Sequence, residues 1–300
     1  MKREHSIQAL EDASTEWDVL VIGGGATGLA TAIDAAARGY RAALLEQDDF
    51  AKGTSSRSTK LIHGGFRYLK QGNVSLVMES LHERGLLLRN APHLVKPLSF
   101  VVPAYRWWEA PFYLTGLKLY DALAGRLGIA PADLLSRDET IEQIPTIEPQ
   151  GLNGGVQYFD GQFDDARLAI SMAQTLADLG GAPANYVRVE SFSKTNGRID
   201  GVVARDLETD KEFRLRAKVT INATGIFTDR VRQMDDADAG GMMMTSQGVH
   251  IVLDRSFLPS DNAIMIPKTD DGRILFAIPW QGRTVIGTTD TPLPAPQLEP

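Results

Sequence analysis

The chain has 300 residues, of which 43% are hydrophobic and 23% charged, with a formal net charge of −7 and no cysteine. Such a composition is typical of a globular protein with one large or two packed α/β domains. It excludes a disulfide framework, a thiolate nucleophile and a zinc finger, and its acidity argues against a nucleic-acid binder.

The first 16 residues mix basic and acidic side chains around no apolar run. They are therefore predicted to form a polar tail and not a signal peptide. No apolar run in the chain approaches the roughly 18 residues that a transmembrane helix needs. The cytoplasm is the expected location, with a peripheral position on the cytoplasmic membrane face as the alternative.

Residues 17–46, WDVLVIGGGATGLATAIDAAARGYRAALLE, predict a strand, a glycine turn, a helix and a second strand. Gly23, Gly25 and Gly28 have the spacing of a dinucleotide-binding turn. The first glycine permits the turn, the second lets the backbone approach a pyrophosphate, and the third lets the helix pack against the strand. Glu46 ends the second strand, where its carboxylate can accept hydrogen bonds from both ribose hydroxyls. At the start of the helix, unpaired N–H groups favour phosphate, so the predicted contacts there are Ala26 and Thr27.

NAD and FAD both contain an adenosine ribose without an added phosphate, so both remain candidates for a site with a carboxylate at Glu46. The chain has no second glycine fingerprint, and this favours FAD as the single dinucleotide. A later strand ends in the run NATG at residues 222–225. Its small side chains leave room for a cofactor at the carboxyl end of a parallel strand. The further predicted cofactor contacts are Val187, Ala223, Thr224 and Gly225.

The remaining elements follow from periodicity. Helical spacing predicts helices within residues 73–94, 107–125 and 164–181, and Ser136 and Glu139 have the spacing of a capping box. Strands are predicted near residues 185–189, 199–205, 212–215 and 219–222. Four more strands between residues 247 and 289 are typical of an antiparallel sheet. The path of residues 235–246, DDADAGGMMMTS, is not predicted.

Residues 55–70, SSRSTKLIHGGFRYLK, carry four cations and no acid. An arginine fork suits a phosphate dianion and a tyrosine hydroxyl adds a neutral donor, so Arg67 and Tyr68 predict an anion site. The net charge of the whole chain matters little there, because charges beyond about 8–10 Å are screened at physiological salt.

The fingerprint together with TSSRSTKLIHGGFRYL, FDDARL, NATG and IGTTD resembles the FAD-dependent glycerol-3-phosphate dehydrogenases. This family lies within a wider group that includes glycine, sarcosine and D-amino-acid oxidases. The resemblance implies an α/β fold with a Rossmann-like FAD-binding domain of the glutathione-reductase type at residues 17–72 and 150–235. It implies an interleaved α+β substrate domain, built on an antiparallel sheet that roofs the flavin, at residues 73–149 and 236–300. The C-terminal part of the family fold would be absent.

The resemblance also assigns site residues. It implies that the cofactor phosphates are bonded by Thr54, Ser55 and Ser56. It implies that the flavin is bordered by Lys60, Leu61, His63 and Gly64, and that the glycerol phosphate meets Arg67 and Tyr68. His63 keeps two open roles, as the general base for the C2 hydroxyl or as a group that orients the flavin. His250, on an alternating strand, is interpreted as structural, and no metal site is predicted.

The implied reaction is oxidation of sn-glycerol 3-phosphate to dihydroxyacetone phosphate with FAD, and quinone is the expected final electron acceptor. The alternatives are a non-catalytic FAD-binding fragment and a flavin amine or amino-acid oxidase that uses oxygen. The helix within residues 107–125 is interpreted as a partly buried helix, with a membrane-interface helix as the alternative. Similar dehydrogenases continue past the IGTTD strand into a second arginine and a Gly-Gly-Lys segment. The 300-residue chain is therefore expected to show weak or absent dehydrogenase activity.

Overall fold

The computed structural model describes residues 1–65, 68–69, 71–269 and 272–295. The helices in these ranges are α1 (Arg3–Glu11), α2 (Ala26–Ala37), α3 (Val74–Asn90), α4 (Glu109–Ala124), α5 (Arg137–Gln143), α6 (Asp165–Asp178) and α7 (Thr228–Asp235). The strands are β1 (Glu16–Ile22), β2 (Ala42–Leu45), β3 (Leu61–Ile62), β4 (Val95–Ala104), β5 (Asp133–Leu135), β6 (Gly154–Phe163), β7 (Ala182–Ala184), β8 (Val187–Thr195), β9 (Arg198–Asp206), β10 (Glu212–Asn222), β11 (Thr245–Gln247), β12 (Ile251–Asp254), β13 (Ala263–Ile266), β14 (Leu275–Trp280), β15 (Arg283–Gly287) and β16 (Thr291–Leu293).

The chain forms two compact units. The first contains Met1–Ser58, Asp165–Ser246 and the chain from Pro292 onward, and the second contains Thr59–Asp164 and Gln247–Thr291. These limits differ from the predicted domains, which assigned residues 59–72 and 150–164 to the cofactor domain. The physical reason is strand pairing, because β6 is registered along its whole length against β4 and also pairs with β3.

The first unit is built on a six-stranded sheet of order β7-β2-β1-β10-β9-β8. The first four of these strands run parallel, and β9 and β8 continue the sheet antiparallel. Parallel strands that are covered on both faces are formed by continuous apolar runs, as in Val19–Ile22 of β1 and Ala42–Leu45 of β2. The two strands predicted at residues 212–215 and 219–222 are one strand, β10, whose first half alternates between exposed and buried residues.

Strand alternation divides the core of the first unit between the two faces of the sheet. Leu20 belongs to a buried cluster that includes Leu10 of α1 and Val231 of α7. Val21 belongs to a second cluster that includes α2 and α6 residues such as Leu29. Because successive strand residues point to opposite faces, one strand serves both clusters, and the helices cover the sheet on both sides.

Helix α1 lies in the segment that was predicted to be a polar tail. Its Leu10 is buried, and Arg3 attaches its first turn to the first unit. The Arg3 Nη2 atom lies 2.6 Å from Asp206 Oδ1, and Arg3 Nε donates to the carbonyl of Asn185 at 3.1 Å. The segment looked polar in sequence because only a short stripe of the helix faces the core.

We expect Asp206→Asn to lower the free energy of unfolding at pH 7 by about 1.5–3 kcal/mol, the range for a hydrogen bond to a charged group. Burial raises the pKa of the Asp206 carboxyl, but hydrogen bonds from Arg3, the Glu208 N–H and the Thr209 hydroxyl lower it below its usual value of 3.8 overall. The stabilisation is therefore present above pH 3.8 and is lost as the pH falls through the folded pKa.

Urea unfolding of the Asp206→Asn variant and its parent at neutral and acid pH measures this contribution. Glu208→Gln is the matched control, because Glu208 also pairs with Arg3, at 2.8 Å, but is 52% exposed. An exposed pair contributes about 0–1 kcal/mol. Equal losses in the two variants would contradict a specific role for the buried carboxylate.

The second unit contains an eight-stranded sheet of order β12-β15-β14-β13-β4-β6-β3, with β5 paired to β6. Its neighbours are antiparallel except β13 and β4, which are parallel. The predicted antiparallel sheet thus includes one parallel pair. These two strands come from separate parts of the chain, so no hairpin constrains their relative direction.

Helix α4 packs Leu117 and Tyr120 into the second unit. On its exposed side, Phe112 is 59% exposed, and Trp107 just before the helix is 84% exposed. Among the described helices, none combines the length and apolar composition that crossing a bilayer requires.

Candidate cofactor-binding site

Three strand ends meet at one edge of the sheet of the first unit. The last residues of β2 and β10 are both registered against the last residue of β1. Gly23, Glu46 and Ala223 follow these ends directly. The Gly23 N–H donates to the carbonyl of Leu45 and the Ala223 N–H donates to that of Ile22, each at 2.8 Å. Carboxyl ends of parallel strands are where open α/β sheets bind ligands.

The glycine turn leaves no room for larger residues at two of its positions. Gly23 has φ +110°, and a Cβ atom there would overlap the carbonyl oxygen of Ala223. A Cβ atom at Gly28 would overlap the carbonyl oxygen of Gly23. A Cβ atom at Gly25 would come within 3.1 Å of Ser55 Oγ. The contacts at Gly23 and Gly28 are those of a tight turn and of close packing of helix on strand, and the approach of a pyrophosphate to Gly25 stays a prediction.

Ser55 lies at the N-terminus of α2. It belongs to a 3₁₀ turn, Thr54–Ser56, and its Oγ atom accepts a hydrogen bond from the Ala26 N–H at 2.9 Å. The first turn of a helix carries unpaired N–H groups and the positive end of the helix dipole. The hydroxyl of Ser55 is therefore placed where an anion would bind.

The Glu46 carboxylate is held by two backbone groups. Its Oε2 atom accepts from the Gly24 N–H at 2.6 Å, and its Oε1 atom accepts from the Asp48 N–H at 2.8 Å. Burial raises the pKa of Glu46, and these hydrogen bonds offset part of that effect. The side chain is thus fixed at the end of β2, as the predicted ribose contact requires.

A cavity of about 540 Å³ lies in the first unit at this edge. Its volume is within the range of about 300–1,000 Å³ that small-molecule sites occupy. The predicted cofactor residues that line it are Gly23, Gly25, Ala26, Thr27, Glu46, Thr54, Ser55, Val187, Ala223, Thr224 and Gly225. Gly28 lies beneath the turn, and Ser56 belongs to the adjoining 3₁₀ turn.

The cavity also has lining residues that were not predicted. They are Ile22, Leu45, Gln47, Asp48, Ala51, Lys52, Gly53, Arg188, Val189, Asn222, Ile226, Phe227, Thr228, Arg230, Val231, Met234 and Met243. Most adjoin predicted positions along the chain, which is the signal that could have found them. Met243 is different, because it comes from the segment whose path the sequence did not indicate.

The predicted contacts Lys60, Leu61, His63 and Gly64 belong to the second unit. Leu61 is buried in β3 opposite Gln162 of β6. The Lys60 carbonyl accepts from the Phe163 N–H at 3.1 Å. These bonds anchor the chain just before His63. Arg67 lies outside the described residues.

His63 is exposed, and its Nδ1 atom accepts a hydrogen bond from the Gly65 N–H at 3.0 Å. A neutral imidazole has one donor and one acceptor nitrogen. In this conformation the proton of neutral His63 is therefore on Nε2, and the Nε2–H group is a hydrogen-bond donor. Tyr68 also follows this turn and donates its N–H to the Gly65 carbonyl at 2.7 Å.

A buried polar network holds Gly64. The Gly64 N–H donates to the Tyr120 hydroxyl at 2.5 Å, and this hydroxyl donates to the Asp160 carboxylate at 3.0 Å. The Arg84 Nη1 atom lies 2.5 Å from Asp160 Oδ1. A Cβ atom at Gly64 would come within 2.6 Å of Leu81. The first glycine of the HGG run is thus required by packing.

The network side chains are almost fully buried, with Arg84 2%, Asp160 3% and Tyr120 1% exposed. Burial raises the pKa of the Asp160 carboxyl, and the neighbouring Arg84 guanidinium opposes this effect. These three residues could not be recognised from the sequence, because each is an isolated polar position within an amphipathic segment.

The side chain of His250 contacts other residues of the second unit. Its Nε2 atom lies 2.9 Å from the Thr59 hydroxyl oxygen, and its ring packs where a Cβ atom at Gly287 would be. In the described parts of the chain, no three His, Asp or Glu side chains are grouped to hold a metal ion.

Residues 18–300 match the family model described as FAD dependent oxidoreductase. The chain is 47% identical to the mitochondrial glycerol-3-phosphate dehydrogenase of Macaca fascicularis, over 97% of this chain and 42% of that protein. Its identity to the enzyme of the same name from Schizosaccharomyces pombe is 40%, over 99% of this chain and 48% of the relative. The chain thus spans less than half the length of these relatives.

Two solved structures show the same fold. The glycerol-3-phosphate dehydrogenase of Bacillus halodurans complexed with FAD is 35% identical, with a TM-score of 0.79 over 100% of this chain and 52% of that one. The L-alpha-glycerophosphate oxidase of Mycoplasma pneumoniae with FAD bound is 18% identical, with a TM-score of 0.69 over 95% of this chain and 73% of that one. The second likeness concerns the fold alone.

Proposed function

The chain belongs to the FAD-dependent oxidoreductase family, and from this membership we propose that it binds FAD and serves the oxidation of sn-glycerol 3-phosphate to dihydroxyacetone phosphate. The observation that carries the proposal is the cavity at the glycine turn of the first unit. The similarity of the chain to proteins named glycerol-3-phosphate dehydrogenase supports the choice of substrate.

The residues of the cavity fit a dinucleotide. The turn at Gly23 and Gly25 allows close backbone approach, and Ser55 with the N-terminus of α2 suits a pyrophosphate. The anchored Glu46 carboxylate is an acceptor for ribose hydroxyls and would repel a phosphate on that ribose. Valine and methionine side chains at Val231 and Met234 offer apolar surface to an aromatic ring.

The proposed substrate contacts lie in the segment that follows β3. We assign Arg67 and Tyr68 to the substrate phosphate, because a guanidinium fork and a phenol hydroxyl match its oxygens. FAD, when bound, supplies the acceptor for the two electrons that leave C2 of the substrate. Of the two roles open to His63, orienting the flavin is compatible with a hydrogen-bond donor at Nε2, whereas the base role requires its Nδ1 to release the Gly65 N–H. Quinone as final acceptor and a peripheral position at a membrane belong to the same proposal.

The test is the absorption spectrum of the purified protein, followed by addition of substrate without air. We expect an oxidised-flavin spectrum that glycerol 3-phosphate bleaches at least slowly, because even weak activity reduces the bound flavin in the absence of air, and that glycerol does not bleach. Bleaching by amino acids instead would identify an amine or amino-acid oxidase. A flavin that no substrate bleaches would contradict the dehydrogenase activity and leave FAD binding alone. A colourless protein that does not take up FAD would contradict the proposal entirely.

We expect Glu46→Ala to weaken FAD binding by about tenfold to a hundredfold. A charge-assisted hydrogen bond contributes about 1.5–3 kcal/mol, and 1.4 kcal/mol corresponds to a tenfold change in affinity. Fluorescence titration of the apoprotein with FAD measures the change. Asp34→Ala on the exposed side of α2 removes the same charge away from the cavity and should leave the affinity unchanged. Equal affinities of Glu46→Ala and the parent would mean that Glu46 does not contact the cofactor.

A further inference from the structure

The methionine segment, Gly240–Met244, folds back onto helix α7 of the first unit. The Asp229 Oδ2 atom accepts hydrogen bonds from the N–H groups of Met242 and Met243, each at 2.9 Å. The Arg232 Nη1 atom donates to the Gly240 carbonyl at 2.8 Å and pairs with Asp229 Oδ1 at 3.0 Å. Two side chains one turn apart on α7 therefore hold the segment at Gly240, Met242 and Met243.

Adjacent methionines of this segment have different environments. Met243 lines the cavity and is 43% exposed, whereas Met244 is 98% exposed. The same helix also contributes Val231 and Met234 to the cavity lining. Helix α7 thus lines one side of the cavity, and it also holds the methionine segment, which lines the cavity through Met243.

The fastening at Asp229 has a clear physical basis. The backbone at Gly240 and Gly241 has large conformational freedom, so that ordering it without side-chain bonds would be unfavourable. The N–H groups of Met243 and Met242 lower the pKa of the Asp229 carboxyl against the opposing effect of its burial, and Arg232 lowers it further. The carboxylate is therefore charged at neutral pH and forms charge-assisted hydrogen bonds, which are about twice as strong as neutral ones.

We propose that Asp229 and Arg232 hold the methionine segment at the cofactor cavity, where it slows release of the cofactor. In this arrangement Met243 packs against the bound dinucleotide. Met243 is then a cofactor-binding residue and Asp229 is a positioning residue that acts through it. A thioether side chain is flexible and polarisable, and it packs well against an aromatic ring system. This inference rests on the proposed function for the identity of the ligand, which is FAD.

The test compares two adjacent substitutions, Met243→Gln and Met244→Gln, which make the same chemical change. The dissociation rate of FAD is followed by the rise of flavin fluorescence after dilution of the loaded protein. We expect Met243→Gln to release FAD about tenfold faster, which corresponds to about 1.4 kcal/mol. Met244→Gln should release FAD at the rate of the parent. Equal rates for the two variants would overturn the inference.

Three further substitutions test the hydrogen bonds by which Asp229 holds the methionine segment. Asp229→Ala removes the acceptor and should speed FAD release as much as Met243→Gln does. Asp229→Asn keeps an acceptor oxygen for the two N–H groups but loses the charge and the pair with Arg232, so its release rate should lie between those of the parent and Asp229→Ala. Asp238→Ala removes an exposed acid from the same loop and should change nothing.

Parental release from Asp229→Ala, or release from Asp229→Asn that is faster than from Asp229→Ala, would overturn the positioning role. If Asp229→Ala fails to fold, as judged by circular dichroism, the methionine pair decides the inference. Failure of the parent to bind FAD would overturn the proposed function and this inference together. Tight FAD binding with equal release from all variants would overturn this inference alone.

Discussion

Replacing Asp160 by alanine should destabilise the second unit by about 3–5 kcal/mol, the cost of removing one partner from a buried ion pair. Arg84 is 2% exposed, so its guanidinium would be left charged and unpaired away from water. The Tyr120 hydroxyl would lose the acceptor that orients it, and this would weaken its hydrogen bond with the Gly64 N–H. A loss of this size is a large part of the roughly 5–15 kcal/mol that stabilises a typical domain.

Urea unfolding followed by circular dichroism measures the Asp160 loss. Asp133→Ala, an exposed aspartate of β5, is the control and should change stability by less than about 0.5 kcal/mol. Replacing Arg84 and Asp160 together by apolar residues should recover much of the loss, because no unpaired charge remains. A loss below 1 kcal/mol in Asp160→Ala would show that the carboxylate does not hold this network.

Replacing Gly23 by alanine should abolish measurable FAD binding. The new Cβ atom would overlap the Ala223 carbonyl oxygen, and the residue would have to keep φ +110°, which an L side chain rarely adopts. Relief of the overlap must separate the ends of β1 and β10, and these ends form the base of the cavity. Strain of this kind costs about 1–3 kcal/mol before the overlap is counted.

Gly39→Ala is the matched control for this substitution. Gly39 also has a positive φ, +84°, but no heavy atom lies within 4 Å of its added Cβ atom. It should therefore lower stability by about 1–2 kcal/mol and leave FAD affinity unchanged. Fluorescence titration with FAD and urea unfolding separate the two effects. Comparable FAD affinity in the two variants would mean that the overlap with the Ala223 carbonyl oxygen does not disturb the cavity.

The predicted family and fold class are confirmed, and the reason is that their signals are local. The strand, turn and helix around Gly23 and Gly28 follow one another within about thirty residues, and Gly28 is constrained by the Gly23 carbonyl oxygen within the same turn. The capping box at Ser136 and Glu139 was equally readable, and both of its hydrogen bonds are present. The assignment of single residues to cofactor and substrate stays a prediction, which the substitutions above test.

Other features depended on contacts between distant parts of the chain. The limits of the two units follow from the pairing of β6 with β4, and α1 is held by Asp206, far away in sequence. The Gly64 network joins residues from α3, α4 and β6, and no spacing rule connects them.

Short-range spacing and periodicity were enough to predict the dinucleotide turn and the order of most elements, and the family followed from the resemblance of motifs such as TSSRSTKLIHGGFRYL. Which acidic residues and methionines lie in a buried network or at the cavity could be seen only after folding had brought distant residues together. Asp160 and Met243 have ordinary neighbours in sequence, and their importance comes from what folding brings next to them. Asp160 pairs with the buried guanidinium of Arg84, which would otherwise be left unpaired. Met243 is held at the cavity by Asp229, and its proposed role follows from this position.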